Sequence, residues 1–214
     1  MFILLINNVL LLPTTMKYVL HGYESANPQL WLHEIKQYTC KAHCIKTNRK
    51  RGIMLTLDAF LFCCYAGMRY SDFVNMKPDN IVEMHQETWL IYKSIKTGTE
   101  VRLPLYLLFS GKGILILNKY QANLQDFFHL RDNSNVNKEL IIIARLAGVA
   151  KKVSFHTARH TNATLLIYNG VNITTVQKLL GHKSVKTTQI YTNVMDATII
   201  SDLEKNHSSV HRKK

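Results

Sequence analysis

The run "HTARH", His156 to His160, places two imidazoles four residues apart with an arginine beside the second. On a helix, residues at i, i+3 and i+4 share one face, so His156, Arg159 and His160 would project together. The histidine spacing is that of the zinc protease helix H-E-x-x-H. Thr157, however, stands where the glutamate would be, and Arg159 brings a cation to a place where a metal ion would be repelled. Such a cluster is better suited to holding an anion.

Arg69, Lys96, His182 and Tyr191 have the same character, and each falls at the end of an expected element, where sites are commonly built. Two arginines, a lysine and two or three histidines with almost no acid among them favour a phosphate, which arginine binds through its planar fork. The helix beginning near His156 would add unpaired N–H groups and the positive end of its dipole. Taken singly, each residue has a plainer reading. His182 reads as a helix cap, Lys96 as a solvated turn, and Tyr191 as one of ten tyrosines packing on a core.

The elements that must position these residues are legible from apolar pattern and stop signals. "LTLDAFLFCCYAG" reads as a buried helix with Thr56 as N-cap and Gly67 as its stop. "MRYSDFVNMKPDNI" gives a short helix led by Arg69 and ended by Pro78. "TWLIYK" and "EVRLPL" are β-rich runs around Thr97-Gly98, a hairpin with Lys96 at its tip. From "KGILILNKY" onward the pattern is helical, with helices ending at Gly148, Gly170 and Gly181, a short segment carrying Tyr191, and a final helix "DATIISDLEK". "KTNRKRG", Lys46 to Gly52, reads as a basic, turn-prone linker. The expected class is mainly α with a small antiparallel β-sheet (α+β).

The charge balance points the same way. Among 214 residues, 27 Lys and Arg against 14 Asp and Glu give +13, so a polyanion is the natural partner, nucleic acid ahead of an anionic membrane. Cys40, Cys44, Cys63 and Cys64 form neither a disulfide framework nor paired zinc knuckles, which suits a reduced, intracellular protein without a bound metal. "MFILLINNVLLL" is too short to span a bilayer and lacks the basic flank and cleavage site of a secretion signal. It reads as a packing segment, or as sequence upstream of a start at Met16.

Four separated stretches, "YAGMRYSD", "KTGTEVRLPL", "HTARHTNATLL" and "LLGHKSVKTTQIYTNV", resemble in order and spacing the tyrosine recombinase (phage integrase) family, in the manner of bacterial site-specific integrases. The resemblance covers residues 51 to 195 and implies the catalytic-domain fold of that family. By position it implies that Arg69 is the first arginine of the site and Asp72 its supporting acid. Lys96 is then the hairpin lysine, His156 and Arg159 the H-x-x-R pair, His182 the histidine after the glycine, and Tyr191 the nucleophile. His160, one turn past His156, would support its neighbours.

The mechanism so implied is attack of Tyr191 on a DNA phosphorus, giving a 3′-phosphotyrosine and a free 5′-hydroxyl. His156 would take the phenol proton, the two arginines would clamp the non-bridging oxygens, His182 would hydrogen-bond one of them, and Lys96, on a mobile hairpin, would protonate the leaving oxygen. No cofactor and no divalent metal are implied. The implied partners are double-stranded DNA and three further copies in a synaptic homotetramer. No membrane is involved, and the setting is cytoplasmic and nucleoid-associated.

Family members usually carry an N-terminal helical domain, whereas only about fifty residues precede the expected linker, too few for that bundle. Residues 1–50 are therefore expected to be an N-terminal segment, a remnant of the helical core-binding domain, and 51–214 the catalytic domain with a C-terminal tail helix that docks on a neighbouring subunit. An active integrase or resolvase of a mobile element or chromosome dimer system leads. A truncated DNA-binding remnant without recombination activity and a type IB topoisomerase-like enzyme are the alternatives.

Overall fold

A helix that is apolar on every side must be buried on every side. That is the fate of the second half of α1 (Thr47–Ala66), the first helix among the described residues, in which every residue from Ala59 to Ala66 is buried. The computed structural model describes residues 47–147, 149 and 151–191. After α1 come α2 (Tyr70–Val74), strands β1 (Ile81–Met84), β2 (Glu87–Lys93) and β3 (Glu100–Pro104), and helices α3 (Lys112–Lys119) and α4 (Leu124–Phe128). They are followed by α5 (Asn133–Leu146), α6 (Phe155–Tyr168), α7 (Ile173–Leu179) and α8 (Lys186–Gln189). Helices α3, α5 and α6 pack around α1, with α6 against it most extensively. The class is mainly α with one small antiparallel sheet, as expected.

The sheet has the order β1-β2-β3, antiparallel throughout. Leu90 pairs with Leu103 and Tyr92 with Val101. All four are buried, while Ile91 between Leu90 and Tyr92 is half-buried and Lys93, Glu100 and Arg102 beside them are exposed, the alternation of a sheet with one covered face. The short α2 has little stability of its own. Its place is set by Phe73, fully buried, whose ring meets those of Phe62, Phe127, Phe128 and Phe155.

Three local expectations are corrected. The basic run expected as a linker is, from Thr47, the opening of α1. Thr56 lies in mid-helix rather than at an N-cap, since α1 already opens at Thr47, and its hydroxyl donates to the Glu139 carboxylate of α5. Helix α2 ends at Val74, and Pro78 opens a separate turn of 3-10 helix, Pro78–Asn80. There the Asn80 side chain accepts from Lys77 N–H and donates to Ile91 C=O, each at 2.9 Å, tying the turn to β2. Strand β1 was not expected, being only four residues long.

Helix α5 stops at Leu146, and Gly148, its expected stop, lies outside the described residues, as do Cys40, Cys44 and "DATIISDLEK". Among the described residues no helix is long and apolar enough to cross a membrane, and no three His, Cys, Asp or Glu side chains are grouped to hold a metal ion. Cys63 and Cys64 are buried free thiols, their ionisation opposed chiefly by burial.

Candidate active site

Arg69 precedes α2 in extended conformation and is reached through Gly67, whose φ of +68° closes the C-terminus of α1 with a bond from its N–H to Cys63 C=O. Beneath it Asp72, 2% exposed, forms the floor. The Asp72 carboxylate lies 3.5 Å from Arg69 Nη1 and accepts from Ile95 N–H at 2.8 Å and from Ser94 Oγ at 3.2 Å. Ser94 in turn accepts from Arg69 Nη1 at 3.0 Å. Arg69 is thus held by an acid and a hydroxyl, and the hairpin is held to the same acid.

Arg159 is the largest fully buried side chain, 1% exposed. Its guanidinium donates to Gly67 C=O at 2.6 Å and to Leu180 C=O. One bond therefore reaches the turn before Arg69 and the other the turn before His182, leaving three of five N–H groups for a substrate. One helical turn on, Asn162 donates to Cys64 C=O and Tyr65 C=O at 3.0 and 2.8 Å, taking up two terminal carbonyls of α1. Together these bonds fasten α6 to α1 beneath the site.

At the start of α6, Thr157 has a local role. Ser154 N–H donates to its Oγ1 at 3.1 Å and Thr157 N–H to Ser154 C=O at 2.9 Å, while Phe155 N–H donates to Asn137 Oδ1 at 2.8 Å. The helix start offered to a phosphate on sequence grounds thus has three of its N–H groups, those of Ser154, Phe155 and Thr157, committed internally. The cationic side chains are left as the main anion ligands.

His182, 8% exposed, follows Gly181 at φ +62°. Its Nδ1 lies 2.9 Å from Oγ1 of the fully buried Thr188 on α8, and its backbone carbonyl accepts from Gln177 Nε2 at 3.0 Å. Tyr191 follows α8 directly, its N–H bonded to Thr188 C=O at 3.1 Å. The Tyr191 ring lies 5.3 Å from that of His160, which lies 4.5 Å from His156, so the three rings form a file. His160 is placed between base and nucleophile candidates, and Lys96 is exposed at the hairpin tip.

The electrostatics follow from this crowding of cations. His156 is held below the usual imidazole value by burial, then by His160, Arg159, Arg69 and Lys96. Burial, Arg159, Arg69 and Lys96 push His182 down to about 4. Both are neutral at pH 7, His156 able to accept a proton and His182 to donate through one ring nitrogen. Arg159 falls to about 10, first through burial and then through Arg69, and so stays charged at neutral pH. Burial raises Tyr191, against the pull of Arg159 and Arg69. Burial disfavours a phenolate there, and the two arginines are what favour it once a base takes the proton.

Arg69, Lys96 and Arg159 act on the charge of both His156 and His182, Asp72 holds Arg69, and His160 contacts the rings of His156 and Tyr191, so the eight residues singled out in the sequence form one connected cluster. Sequence reasoning gave no site role to Ser94, Thr97, Asn162 or Thr188, although the last three lie inside the quoted stretches. Their only sequence signal is nearness to a member of the constellation: Ser94 and Thr97 flank Lys96, Asn162 follows Arg159 by one turn, and Thr188 precedes Tyr191 by three.

The phage integrase family model matches residues 39–198. The tyrosine recombinase XerD of Listeria monocytogenes serotype 4b (strain F2365) is 50% identical over 155 residues, covering 64% of this chain and 50% of the relative. The crystal structure of XerA recombinase superposes with a TM-score of 0.57 at 25% identity, over 81% of this chain and 63% of that one. A lambda integrase tetramer bound to a Holliday junction shares the fold, with a TM-score of 0.59 at 19% identity over 80% and 49% of the two chains. The chain spans about half the length of the curated relatives it matches. With the motifs in order and that fold around them, this chain belongs to the phage integrase family.

Proposed function

We propose that the chain carries the catalytic domain of a site-specific DNA recombinase that cleaves and rejoins DNA through a 3′-phosphotyrosine intermediate. The observation that carries the reading is the clustering of Arg69, Lys96 and Arg159 around His156 and His182, with the two histidines held neutral and the two arginines close enough to act on the Tyr191 phenol. A phosphodiester brings the negative charge this cluster lacks.

In the proposed step Tyr191 Oη attacks phosphorus as His156 takes its proton. Arg69 and Arg159 stabilise the charge gathering on the non-bridging oxygens, and His182 donates from Nε2 while Thr188 donates to Nδ1. The bond from phosphorus to the 5′-oxygen breaks, and Lys96 delivers a proton to that oxygen. Asp72 keeps Arg69 oriented, and His160 steadies the file of rings. The phosphotyrosine ester conserves the bond, so a different 5′-hydroxyl can reverse the step without ATP. The fixed cations do here what metal ions do in other phosphoryl transfers.

The substrate is double-stranded DNA, and the working form is a homotetramer in synapsis, as in the lambda integrase tetramer on its Holliday junction. Cytoplasmic, nucleoid-associated action follows from such a substrate. A C-terminal tail helix and an N-terminal segment over residues 1–50 complete the proposed organisation. The test is a nicked suicide duplex, enriched from a random pool by binding to this chain, whose short 5′ fragment diffuses away after cleavage. A covalent adduct in excess EDTA that vanishes in Tyr191→Phe is the expected result. An adduct undiminished by that substitution overturns the reading, and site-independent relaxation of supercoiled plasmid assigns a topoisomerase instead.

A further inference from the structure

The resemblance implied a mobile hairpin, yet the turn that bears Lys96 is fastened on both sides. On the incoming side Ser94 and Ile95 bind the Asp72 carboxylate. On the outgoing side Thr97 Oγ1 donates to Gly181 C=O at 3.1 Å, across 84 residues of sequence. Gly181 immediately precedes His182, and the approach there is close: a Cβ on Gly181 would lie 2.6 Å from Val101 Cγ2 on β3. The hairpin and the His182 turn are therefore packed backbone to side chain, with the Thr97 hydroxyl bridging them.

Lys96 itself is exposed, on a stem with four rotatable bonds. Such an ammonium is directed at a leaving oxygen only as well as its backbone is held. The hairpin is closed mainly without Thr97: the β2–β3 ladder is complete from Lys93–Glu100 outward, and the turn has its own backbone bonds, Ser94 N–H to Thr99 C=O at 2.9 Å and Gly98 N–H to Ser94 C=O at 2.7 Å, beside which the 3.4 Å bond from Thr99 N–H to Thr97 Oγ1 is long. The Thr97 bond instead fixes where the finished turn lies relative to His182.

We propose that Thr97 is a positioning residue for Lys96, a latch that registers the hairpin on the Gly181-His182 turn so that ammonium and imidazole address the same phosphate. The inference rests on Lys96 being the general acid of the proposed reaction. In that step the P–O5′ bond breaks, its electron pair stays on the oxygen, and the proton comes from Lys96 Nζ. If the 5′-bridging oxygen is replaced by sulfur, the leaving group departs as a thiolate and no proton is needed. A defect confined to Lys96 placement then disappears.

The full chain and its Thr97→Val, Thr97→Ser and Lys96→Ala variants are compared in single-turnover cleavage of the selected duplex, with oxygen or sulfur at the bridging 5′ position. Thr97→Val is expected to melt at the unsubstituted temperature, bind DNA equally, and cleave the oxygen substrate roughly 10- to 100-fold more slowly. On the sulfur substrate it should match the unsubstituted chain within about twofold, and Thr97→Ser should restore the oxygen rate. Equal slowing on both substrates, or none on either, overturns the latch. Lys96→Ala separates the two ideas. If sulfur does not rescue it, the general-acid reading fails; if sulfur rescues it while Thr97→Val is unimpaired, only the latch fails.

Discussion

Arg159 and Lys96 carry the same charge toward the same face and are held in opposite ways. Arg159 is 1% exposed and bonded to two carbonyls on two different turns, whereas Lys96 is exposed at a hairpin tip. Around Arg159 lies a floor of buried polar residues, Asp72, Asn162 and Thr188, each committed to a named partner. Around Lys96 lies a rim of which only the base is fastened. The floor serves the fold and the reaction together, because the bonds that join α1, α6 and α7 are the bonds that aim the cations. The rim serves the reaction alone. Substitutions in the floor should therefore cost stability and rate together, and those at the rim rate only.

The largest effect on stability is expected from Arg159→Ala, which leaves the carbonyls of Gly67 and Leu180 without their donor. At about 1–3 kcal/mol for each buried unsatisfied group, it should lose roughly 3–5 kcal/mol in denaturant unfolding. An unchanged midpoint would show the floor to be no scaffold. Gly67→Ala comes next. It forces a side chain to φ +68° with its Cβ 2.6 Å from Asn162 Oδ1 and 2.9 Å from Leu180 Cδ2, and about 2–3 kcal/mol of destabilisation should follow.

Acid sharpens the comparison next. His182 titrates near 4 in the fold against 6.5 for a free imidazole, and His156 and His160 are also lowered. The unfolded chain therefore binds more protons between those values, so the histidine contribution to stability should fall as pH drops from about 6.5 toward 4 and level off below, where the lowered Asp132 carboxyl continues the loss. Melting temperatures across that range measure it, and His182→Gln should flatten the slope. The smallest effect belongs to Lys96→Ala. Its melting temperature should stay within about 0.5 kcal/mol equivalent of the unsubstituted chain while cleavage of bound DNA falls 100-fold or more. A matching fall in DNA affinity with no change in cleavage rate would reduce the lysine to a phosphate contact.

The division between floor and rim also explains what the sequence disclosed. Residues that meet the substrate are conspicuous by type, and the strands that carry Lys96 show their alternation and their Thr97-Gly98 turn. The residues beneath are inconspicuous because their partners are distant in the chain. Nothing about Ser94 reveals Arg69 and Asp72, and nothing about Thr188 reveals the imidazole it bonds. Local signals misled for the same reason. Thr56 looks like a cap until Glu139, 83 residues away, takes its hydroxyl. The basic run from Thr47 lacks the apolar residues that mark the rest of α1, so its helical continuation was invisible.

The central claim is that floor and rim together serve one nucleophile, Tyr191. Proteolysis of the trapped protein–DNA adduct, followed by mass spectrometry of the nucleotide-bearing peptide, tests it most directly. The account predicts a 3′-phosphonucleotide on the peptide containing Tyr191 and on no other. Attachment to another of the ten tyrosines, or to a serine or histidine, would contradict it.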